Sequence, residues 1–382
     1  MKNKIYNNKY NIINIIVFIA IIFIIYFTYK LNKIKSKEHI YSFEQYKNIL
    51  KEYENNQESL KNTNLNQITW ILSNYVPFGL GGSEVMAHTV NKYLITKGFI
   101  INVIGAWKSQ IYEGVNIIDI NNIKKVKEAI NSSKIIFSQN YSYPEIAVRI
   151  AKKINKPVVI IIHSDNINTD PNPEKYKNII DSSHLNIVYN SNWLKKHFNN
   201  SLNSFVLNPP IDCKKYITDT NNKYVTLINL SKHKGGDIFI EIVKRMPEIK
   251  FLAVGNGNQY TNINKISNLV HIAQTINMRE VYHETDILLM PSEKESWGMV
   301  ATEALCSGIP VIATPTDGLK ENLDYAGLFI KRENIDDWIK MIYKLKNDRT
   351  FYNEMSNKCK SRSKELYKNS QLDDFYNFIN KI

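Results

Sequence analysis

The 382-residue chain is long enough for two domains, because a single hydrophobic core rarely grows beyond about 250–300 residues. A hydrophobic fraction of 43% and a charged fraction of 22% are ordinary for a folded protein, which excludes a disordered or fibrous chain. The net charge of +13 comes from lysines dispersed among Asn and Ile, not from a basic stripe with interleaved aromatic residues, so we expect no nucleic-acid binding.

An uncharged apolar run, IINIIVFIAIIFIIYFTY, occupies residues 12–29. Its length is near the lower limit for crossing a bilayer, about 18 residues, and the following YKLNKIKSKE lacks a small-residue cleavage pattern. We therefore predict a membrane anchor over residues 1–30 in preference to a cleaved signal peptide. Lysines are slightly more frequent after the run than before it, which places the rest of the chain in the cytosol. Residues 31–66 are predicted to be a stalk or lead-in helix.

Apolar strands alternate with amphipathic helices from residue 67 onward, which is typical of parallel α/β sheets. Strand candidates define a first domain over residues 67–208 (ITWILS, INVIGA, KIIFSQ, PVVIIIH, LNIVYN) and a second over 209–350 (YVTLIN, KFLAVG, DILLMP, PVIAT). The Asn-Pro-Pro turn of VLNPPIDCKKY, between the two sets, is a predicted hinge. Residues 351–382 are predicted to be helical and to pack back toward the first domain.

The three cysteines, Cys213, Cys306 and Cys359, show no metal-ligand spacing and no paired framework. We therefore expect a reducing compartment, which again favours the cytosol. Cys306, in an Ala-Leu-Cys-Ser-Gly run, is expected to be a small buried hydrophobe and not a nucleophile.

Three candidate ligand-binding residues lie at turns that follow predicted strands. Gly82, in GGSE, lets the backbone approach an anion or a substrate closely, but the same glycines suit a plain turn capped by Ser83. His163 ends the run PVVIIIHS at the carboxyl end of a strand, where open parallel sheets bind ligands; a hydrogen-bonded structural histidine is the alternative. Lys234 precedes a Gly-Gly pair and can neutralise a diphosphate, or it can be an ordinary solvated loop lysine.

The stretch ESWGMVATEALCSGIPV begins at Glu295, in a predicted loop, and carries Glu303 in a predicted short helix. The backbone amides at the start of the helix can bind an anion. Two flanking carboxylates would themselves repel an anion, so we expect the carboxylates to bind hydroxyl groups next to it. A carboxylate accepts two hydroxyl hydrogen bonds at once, as a ribose diol or a sugar ring presents them. A phosphate between two polyols describes a nucleotide sugar; a pair of solvated glutamates is the alternative.

The run ESWGMVATEALCSGIPVIATPTDGLKE resembles the E-x₇-E region of family 4 glycosyltransferases, and GGSE, VYNSNWLKKHF, KGGDIF, FLAVGNG and VYHETDILLMPS follow that family in order. The resemblance covers about Ile68 to Leu366. It implies the GT-B fold, two Rossmann-like domains facing across a cleft, here with an N-terminal transmembrane helix. It also implies transfer of a sugar, with retained anomeric configuration, from a nucleotide-sugar donor to a glycan, lipid or protein acceptor, without a metal or other cofactor. The predicted membrane anchor favours an acceptor that is lipid-linked or near the membrane.

The same resemblance assigns roles to individual residues. Catalysis would fall to His163, Lys234 and Glu295, and the donor would be bound by Gly82, Asn229, Lys234, Glu295, Ser296, Trp297, Gly298, Met299 and Glu303. Glu303 would hold the ribose diol, Glu295 the donor sugar and Lys234 the diphosphate. Asn229 departs from the family, which usually has Arg there, so one positive charge near the leaving group is missing. A catalytically weak or inactive nucleotide-sugar binder is therefore one alternative. A GT-B epimerase, which would share the fold, is another.

Overall fold

The computed structural model describes residues 44–53, 64–79, 81–140, 142–165, 172–260, 262–368 and 371–382. Within these residues the chain forms two parallel sheets, each with its own helices. The predicted α/β architecture with two Rossmann-like domains is confirmed. The apolar run over residues 12–29 lies outside the described residues, and no helix among those described is both long and apolar enough to span a bilayer.

The N-terminal domain is built on eight strands: β1 (Asn64–Ile71), β2 (Ile100–Gly105), β3 (Gln110–Tyr112), β4 (Val115–Asp119), β5 (Ser133–Gln139), β6 (Val158–Ile162), β7 (Leu185–Tyr189) and β8 (Asn203–Val206). They form one sheet in the order β3-β4-β2-β1-β5-β6-β7-β8, parallel except at β3. Its helices are α1 (residues 44–53), α2 (Gly82–Thr96), α3 (Ile123–Ser132), α4 (Pro144–Lys153) and α5 (Asn192–Phe198).

Strand β6 shows why these sequences form buried parallel strands. Its five residues are all apolar and all buried. Ile160 packs into the cluster that contains α4, whereas Val159 and Ile161 pack into the cluster on the opposite face, which contains α2. Because helices cover both faces, the strand has no polar side and reads as a continuous run of β-branched residues.

The C-terminal domain has six parallel strands: β9 (Tyr224–Ile228), β10 (Phe251–Val254), β11 (Leu269–Ile272), β12 (Thr285–Met290), β13 (Val311–Ala313) and β14 (Gly327–Phe329). Their order in the sheet is β11-β10-β9-β12-β13-β14, so β9 and β12 lie side by side. The helices are α6 (Gly236–Arg245), α7 (Met278–Glu284), α8 (Met299–Cys306), α9 (Asp317–Leu323), α10 (Ile335–Asn347) and α11 (Arg349–Lys368).

The last helix, α12 (Leu372–Lys381), belongs to the N-terminal domain. Phe375 and Ile379 are fully buried in the apolar cluster that contains Phe137 of β5. The Lys134 ammonium also donates to the carbonyl of Ile379 at 3.1 Å. The chain therefore crosses between the domains twice, once after β8 and once between α11 and α12.

Helix α1 lies within the segment predicted as a stalk or lead-in helix. Tyr46 is buried, and its hydroxyl donates to the carbonyls of Leu72 at 2.7 Å and Ile104 at 2.8 Å. Ile49 is also buried in the cluster that contains α4. Residues 44–53 are thus part of the packed N-terminal domain.

Cys213 and Cys306 form a disulfide, with their Cα atoms 5.4 Å apart, so the expectation of unpaired cysteines is wrong. The two residues are 93 positions apart in sequence, one in the linker between domains and one at the end of α8, and only the fold brings them together. Cys306 is buried, but as half of a disulfide. Because disulfides are typical of oxidising compartments, the cysteines no longer favour the cytosol.

Replacing Cys213 by Ser is expected to lower the free energy of unfolding by roughly 2–4 kcal/mol, because a disulfide that closes a long loop restricts the unfolded chain. Urea denaturation without reductant measures the difference. Dithiothreitol should lower the midpoint of the parent toward that of the variant and leave the variant unchanged. Cys359→Ala, at the free buried cysteine, is the control that should keep the response to reductant. Equal midpoints of parent and Cys213→Ser without reductant would contradict the disulfide.

Candidate active site

A cavity of about 960 Å³ lies between the two domains. Its walls are formed by residues that follow β1, β6 and β7 in one domain and β9, β10 and β12 in the other, where parallel sheets bind ligands. Every residue that the sequence singled out contributes to these walls: Gly82, His163, Asn229, Lys234, Glu295, Ser296, Trp297, Gly298, Met299 and Glu303. The structure therefore brings together residues that are up to 221 positions apart (82 to 303).

Lys234 and Glu295 contact each other directly. The Lys234 ammonium lies 2.5 Å from the Glu295 carboxylate, which also accepts a hydrogen bond from the Ser292 hydroxyl at 2.9 Å. The Glu295 side chain is only 10% exposed, so its charge is poorly solvated and the ion pair is its main compensation. A phosphate that bound Lys234 would replace this carboxylate and release it to accept hydrogen bonds from hydroxyl groups.

Gly235 allows the loops that carry Lys234 and Glu295 to approach. Its φ is +83°, and an added Cβ would lie 2.2 Å from the carbonyl oxygen of Pro291. Arg332 holds the same two loops, because its guanidinium donates to the carbonyls of Pro291 at 3.1 Å and Lys232 at 3.2 Å. Arg332 was not recognisable in the sequence as a site residue, because no motif surrounds it.

The start of α8 is held by backbone contacts. Gly298 has a φ of +87°, and an added Cβ would lie 2.6 Å from Leu319, so a larger residue does not fit. The buried Asn322 amide donates to the carbonyls of Trp297 at 2.9 Å and Gly298 at 3.1 Å, which fixes the turn so that the first amides of α8 are available to an anion. The Trp297 side chain itself is buried.

Glu303 is buried and accepts hydrogen bonds from two tyrosines. The Tyr282 hydroxyl lies 2.7 Å from its Oε2, and Tyr216 of the interdomain linker also donates to the carboxylate. Burial raises the pKa of Glu303 to about 7, and the two hydrogen bonds only partly offset this. A carboxylate has about four lone-pair positions, so two tyrosines leave capacity for a diol. Neither tyrosine was recognisable in the sequence, because each lies outside the motif that contains Glu303.

His163 follows β6 and is buried. Its Nε2 lies 3.0 Å from Oε1 of Gln139, and its backbone N–H donates to Asn140 Oδ1 at 2.9 Å. Burial lowers the pKa of His163 to about 4, so the imidazole is neutral at pH 7 and can exchange hydrogen bonds without adding positive charge.

Gly82 begins α2 at the point where the domains touch. An added Cβ would lie 3.3 Å from Cγ of Met299, the first residue of α8, so a side chain here would push against the opposite wall. Gly82 and Met299 therefore bring the two walls of the cavity close together.

Asn229, at the position where the family has Arg, adopts a φ of +67°. Asparagine tolerates this left-handed conformation better than most residues. Its Oδ1 accepts a hydrogen bond from Asn256 at 2.9 Å. The basic residues of the cavity are His163, His233, Lys234 and Lys294, of which Lys234 is the one paired with Glu295.

In the described part of the chain, no three His, Cys, Asp or Glu side chains are grouped to hold a metal ion; metal-independent transfer stays a prediction.

Residues 211–365 match the protein family described as "Glycosyl transferases group 1". The chain is 23% identical over 324 residues to an uncharacterized glycosyltransferase of Methanocaldococcus jannaschii, covering 76% of this chain and 92% of that protein. It is 29% identical over 123 residues to the N-acetyl-alpha-D-glucosaminyl L-malate synthase of Bacillus anthracis, covering 29% of this chain and 32% of that protein.

The fold is also similar to that of several solved structures. Anabaena HepE, solved in complex with UDP-glucose, has a TM-score of 0.67 at 14% identity and covers 81% of this chain and 99% of its own. The sucrose-phosphate synthase of Thermosynechococcus elongatus has a TM-score of 0.63 at 12% identity, with coverages of 82% and 98%. The molecule therefore has the α/β GT-B fold with two Rossmann-like domains. Its similarity to the group 1 family model and to relatives named as glycosyltransferases identifies it as a glycosyltransferase, and residues 211–365, in the C-terminal domain, are the part that matches the family model.

The raised pKa of Glu303 predicts a pH-dependent site. Donor affinity should fall as the pH falls through about 7, because the protonated acid no longer accepts hydroxyl hydrogen bonds in pairs. The free energy of unfolding should change in the opposite sense. Because the pKa of Glu303 is higher in the folded protein than the unfolded-state pKa of about 4.5, this residue stabilises the folded protein at pH values below 4.5. That stabilisation is lost as the pH rises through about 7.

Glu303→Gln tests both effects. The variant should be the more stable protein at pH 8, by roughly 1–3 kcal/mol, because an amide carries no buried charge. At pH 8 the variant should bind the donor more weakly than the parent does. Its donor affinity should be the same at pH 6 and pH 8, because the amide does not titrate. Thermal melting and donor titration at several pH values measure the two quantities. A variant whose donor affinity keeps the parent's pH profile would show that another group titrates.

Proposed function

We propose that this glycosyltransferase takes a sugar from a nucleoside diphosphate-sugar and transfers it, with retention of anomeric configuration, to a hydroxyl group of a glycan, lipid or protein. One observation carries the proposal: a single cavity wall combines a lysine, the open start of a helix and two carboxylates. These groups match a diphosphate flanked by a ribose and a sugar. The UDP-glucose complex of Anabaena HepE supports a donor of this class.

The donor is expected to lie along the C-terminal wall. Glu303 would accept hydrogen bonds from the ribose diol, with Tyr216 and Tyr282 holding the carboxylate in position. Lys234 would turn from Glu295 to the diphosphate, and Glu295 would then accept hydrogen bonds from the sugar. Each charged group of the wall thus keeps a partner before and after the donor binds, which avoids leaving a buried charge unpaired.

The chemical step requires stabilisation of the leaving group. As the bond between the anomeric carbon and the β-phosphate oxygen breaks, negative charge grows on that phosphate, next to Lys234 and the first amides of α8. The acceptor oxygen forms its bond to the anomeric carbon from the same face, and its proton passes to the departing phosphate. Neutral His163, on the opposite wall, would orient the sugar or the acceptor by hydrogen bonding. Closure of the cleft would exclude water from the reaction.

The reaction is tested with the full chain in detergent and a panel of donors: UDP-glucose, UDP-N-acetylglucosamine, GDP-mannose and ADP-glucose. We expect one of them to be consumed with release of its nucleoside diphosphate, and proton NMR of the new glycoside should show the donor's anomeric configuration. Inverted configuration would refute retention, and product formed from the donor alone by epimerisation would select the epimerase alternative.

Lys234→Ala should lower kcat by about 10²–10³-fold in the same assay, because it removes the cation next to the leaving phosphate. The control is Lys232→Ala, in the same turn but exposed to solvent, which should keep its activity. Equal losses in both variants would mean that the turn, and not the Lys234 charge, is required.

The absence of Arg at position 229 favours a second candidate, a protein that binds a nucleotide sugar without turning it over. Asn229 bonds to Asn256 and brings no charge to the wall. Binding of a nucleoside diphosphate by calorimetry, with no consumption of any donor in the panel, would select this alternative.

We further propose that residues 12–29 anchor the enzyme to a membrane, which would bring it near lipid-linked or membrane-near acceptors. The lysine bias around the run supports a cytosolic catalytic body, whereas the disulfide is typical of an oxidising compartment. Extraction of membranes with alkaline carbonate should leave the protein in the pellet. Release into the supernatant would refute the anchor, and proteolysis of sealed vesicles would determine on which side the body lies.

A further inference from the structure

The two points where the chain crosses between domains are joined to each other. The backbone N–H of Asn208, just after β8, donates to Oε1 of Gln371, just before α12, at 2.9 Å. Next to this crossing lies Glu321 of α9, whose carboxylate is 3.5 Å from the Asn208 side-chain amide. This small region is where the angle between the domains is determined, because both connecting segments pass through it.

Glu321 reaches from the C-terminal domain to the first turn of α5 in the N-terminal domain. Its two carboxylate oxygens accept the backbone N–H groups of Asn192 and Trp193, each at 2.8 Å, and Oε1 also accepts from the Asn192 side chain at 2.9 Å. The next amide of the helix, that of Leu194, is satisfied within its own domain by Ser191. The first turn of α5 is thus completed by a carboxylate from the other domain.

The residue next to Glu321 holds the donor site. Asn322 is fully buried and donates to the carbonyls of Trp297 and Gly298, which form the turn before α8. Arg362 of α11 donates to the backbone carbonyls of both Glu321 and Asn322, each at 2.8 Å, and so fixes this part of α9. One rigid turn of α9 therefore contacts the other domain on one side and the donor turn on the other.

We propose that Glu321 is a positioning residue that sets the angle between the two domains and couples it to the donor turn. A carboxylate that accepts two backbone amides on its two oxygens keeps both bonds at one orientation only, so rotation of the domains breaks both. Correct alignment of the donor and acceptor walls is required for turnover, since a misplacement of about 1 Å can cost about 100-fold in rate. Glu321 does not line the cavity, so it acts through the walls.

An ion pair across the cleft, between Lys294 and Asp165, does not perform this task as well. Lys294 lies 3.7 Å from Asp165, and its side chain is 75% exposed. A long, solvated lysine at that distance keeps contact over many orientations and contributes little energy. The bidentate contact of Glu321 is short and directional, and it lies at the crossing point instead of at the rim.

The test compares three substitutions of Glu321. Glu321→Ala removes the carboxylate, Glu321→Asp keeps the charge but shortens the side chain, and Glu321→Gln keeps one oxygen acceptor without the charge. Asp317→Asn is the control, because Asp317 lies on the same helix but pairs with Lys320 of its own helix, at 3.5 Å on the exposed surface. Backbone amide exchange of Asn192 and Trp193, and the spread of interdomain distances from small-angle scattering, are measured without any ligand.

The Ala and Asp variants should exchange these two amides faster and show a broader distance distribution, with Gln intermediate and the control unchanged. The kinetic part rests on the proposed function: kcat for donor hydrolysis should fall about 10–100-fold, while the Kd for the free nucleoside diphosphate stays within about two-fold, because the donor wall is intact. Unchanged exchange and scattering in Glu321→Ala would overturn the proposal.

A simultaneous fall in kcat, nucleotide affinity and melting temperature would show that Glu321 acts only as a structural helix cap. That result would also overturn the proposal that Glu321 sets the angle between the domains. If no donor is consumed by the parent, the proposed function fails, but exchange and scattering still decide whether Glu321 sets the domain angle. The two failures are therefore distinguishable.

Discussion

The ion pair between Lys234 and Glu295 is the contact around which the candidate site is organised. It joins the loops that follow β9 and β12, which are neighbours in the sheet, and it does so only because Gly235 lets the backbone of one loop touch Pro291 of the other. Two charges of opposite sign hold each other in place in a poorly solvated position. Contacts within the chain thus hold the wall together, and they fix the position of the cation that a diphosphate would meet.

The two glutamates of the E-x₇-E motif have different electrostatic environments. Glu295 lies in a loop next to an ammonium group, whereas Glu303 lies in the second turn of α8, buried and hydrogen-bonded to tyrosine hydroxyls. Burial without a cation raises the pKa of Glu303 to about 7. The same residue type thus provides a carboxylate paired with a cation next to the phosphate position and a carboxylate with a raised pKa at the far end of the wall.

The sequence predicted the two sheets, the loops that carry site residues and the cavity that these residues share, because those features repeat local patterns: apolar strands, glycines at turns and one dense motif. It did not predict the partners of those residues. Tyr216 is in a linker, Tyr282 is in α7, and Arg332 follows β14, so each reaches the site through tertiary contacts that no local spacing encodes. The pairing of Cys213 with Cys306 was missed for the same reason, and the expectation of reduced cysteines was wrong.

The disulfide encloses the donor wall in a covalent ring. Asn229, Lys234, Glu295 and Glu303 all lie between Cys213 and Cys306, as do β9, β10, β11 and β12. A protease that cut one exposed turn inside this ring, such as the turn near Ile276, would leave both fragments linked through sulfur. Under denaturing conditions the two pieces would then separate only after reduction of the disulfide, whereas a cut before Cys213, the first cysteine of the chain, leaves no covalent link between the fragments.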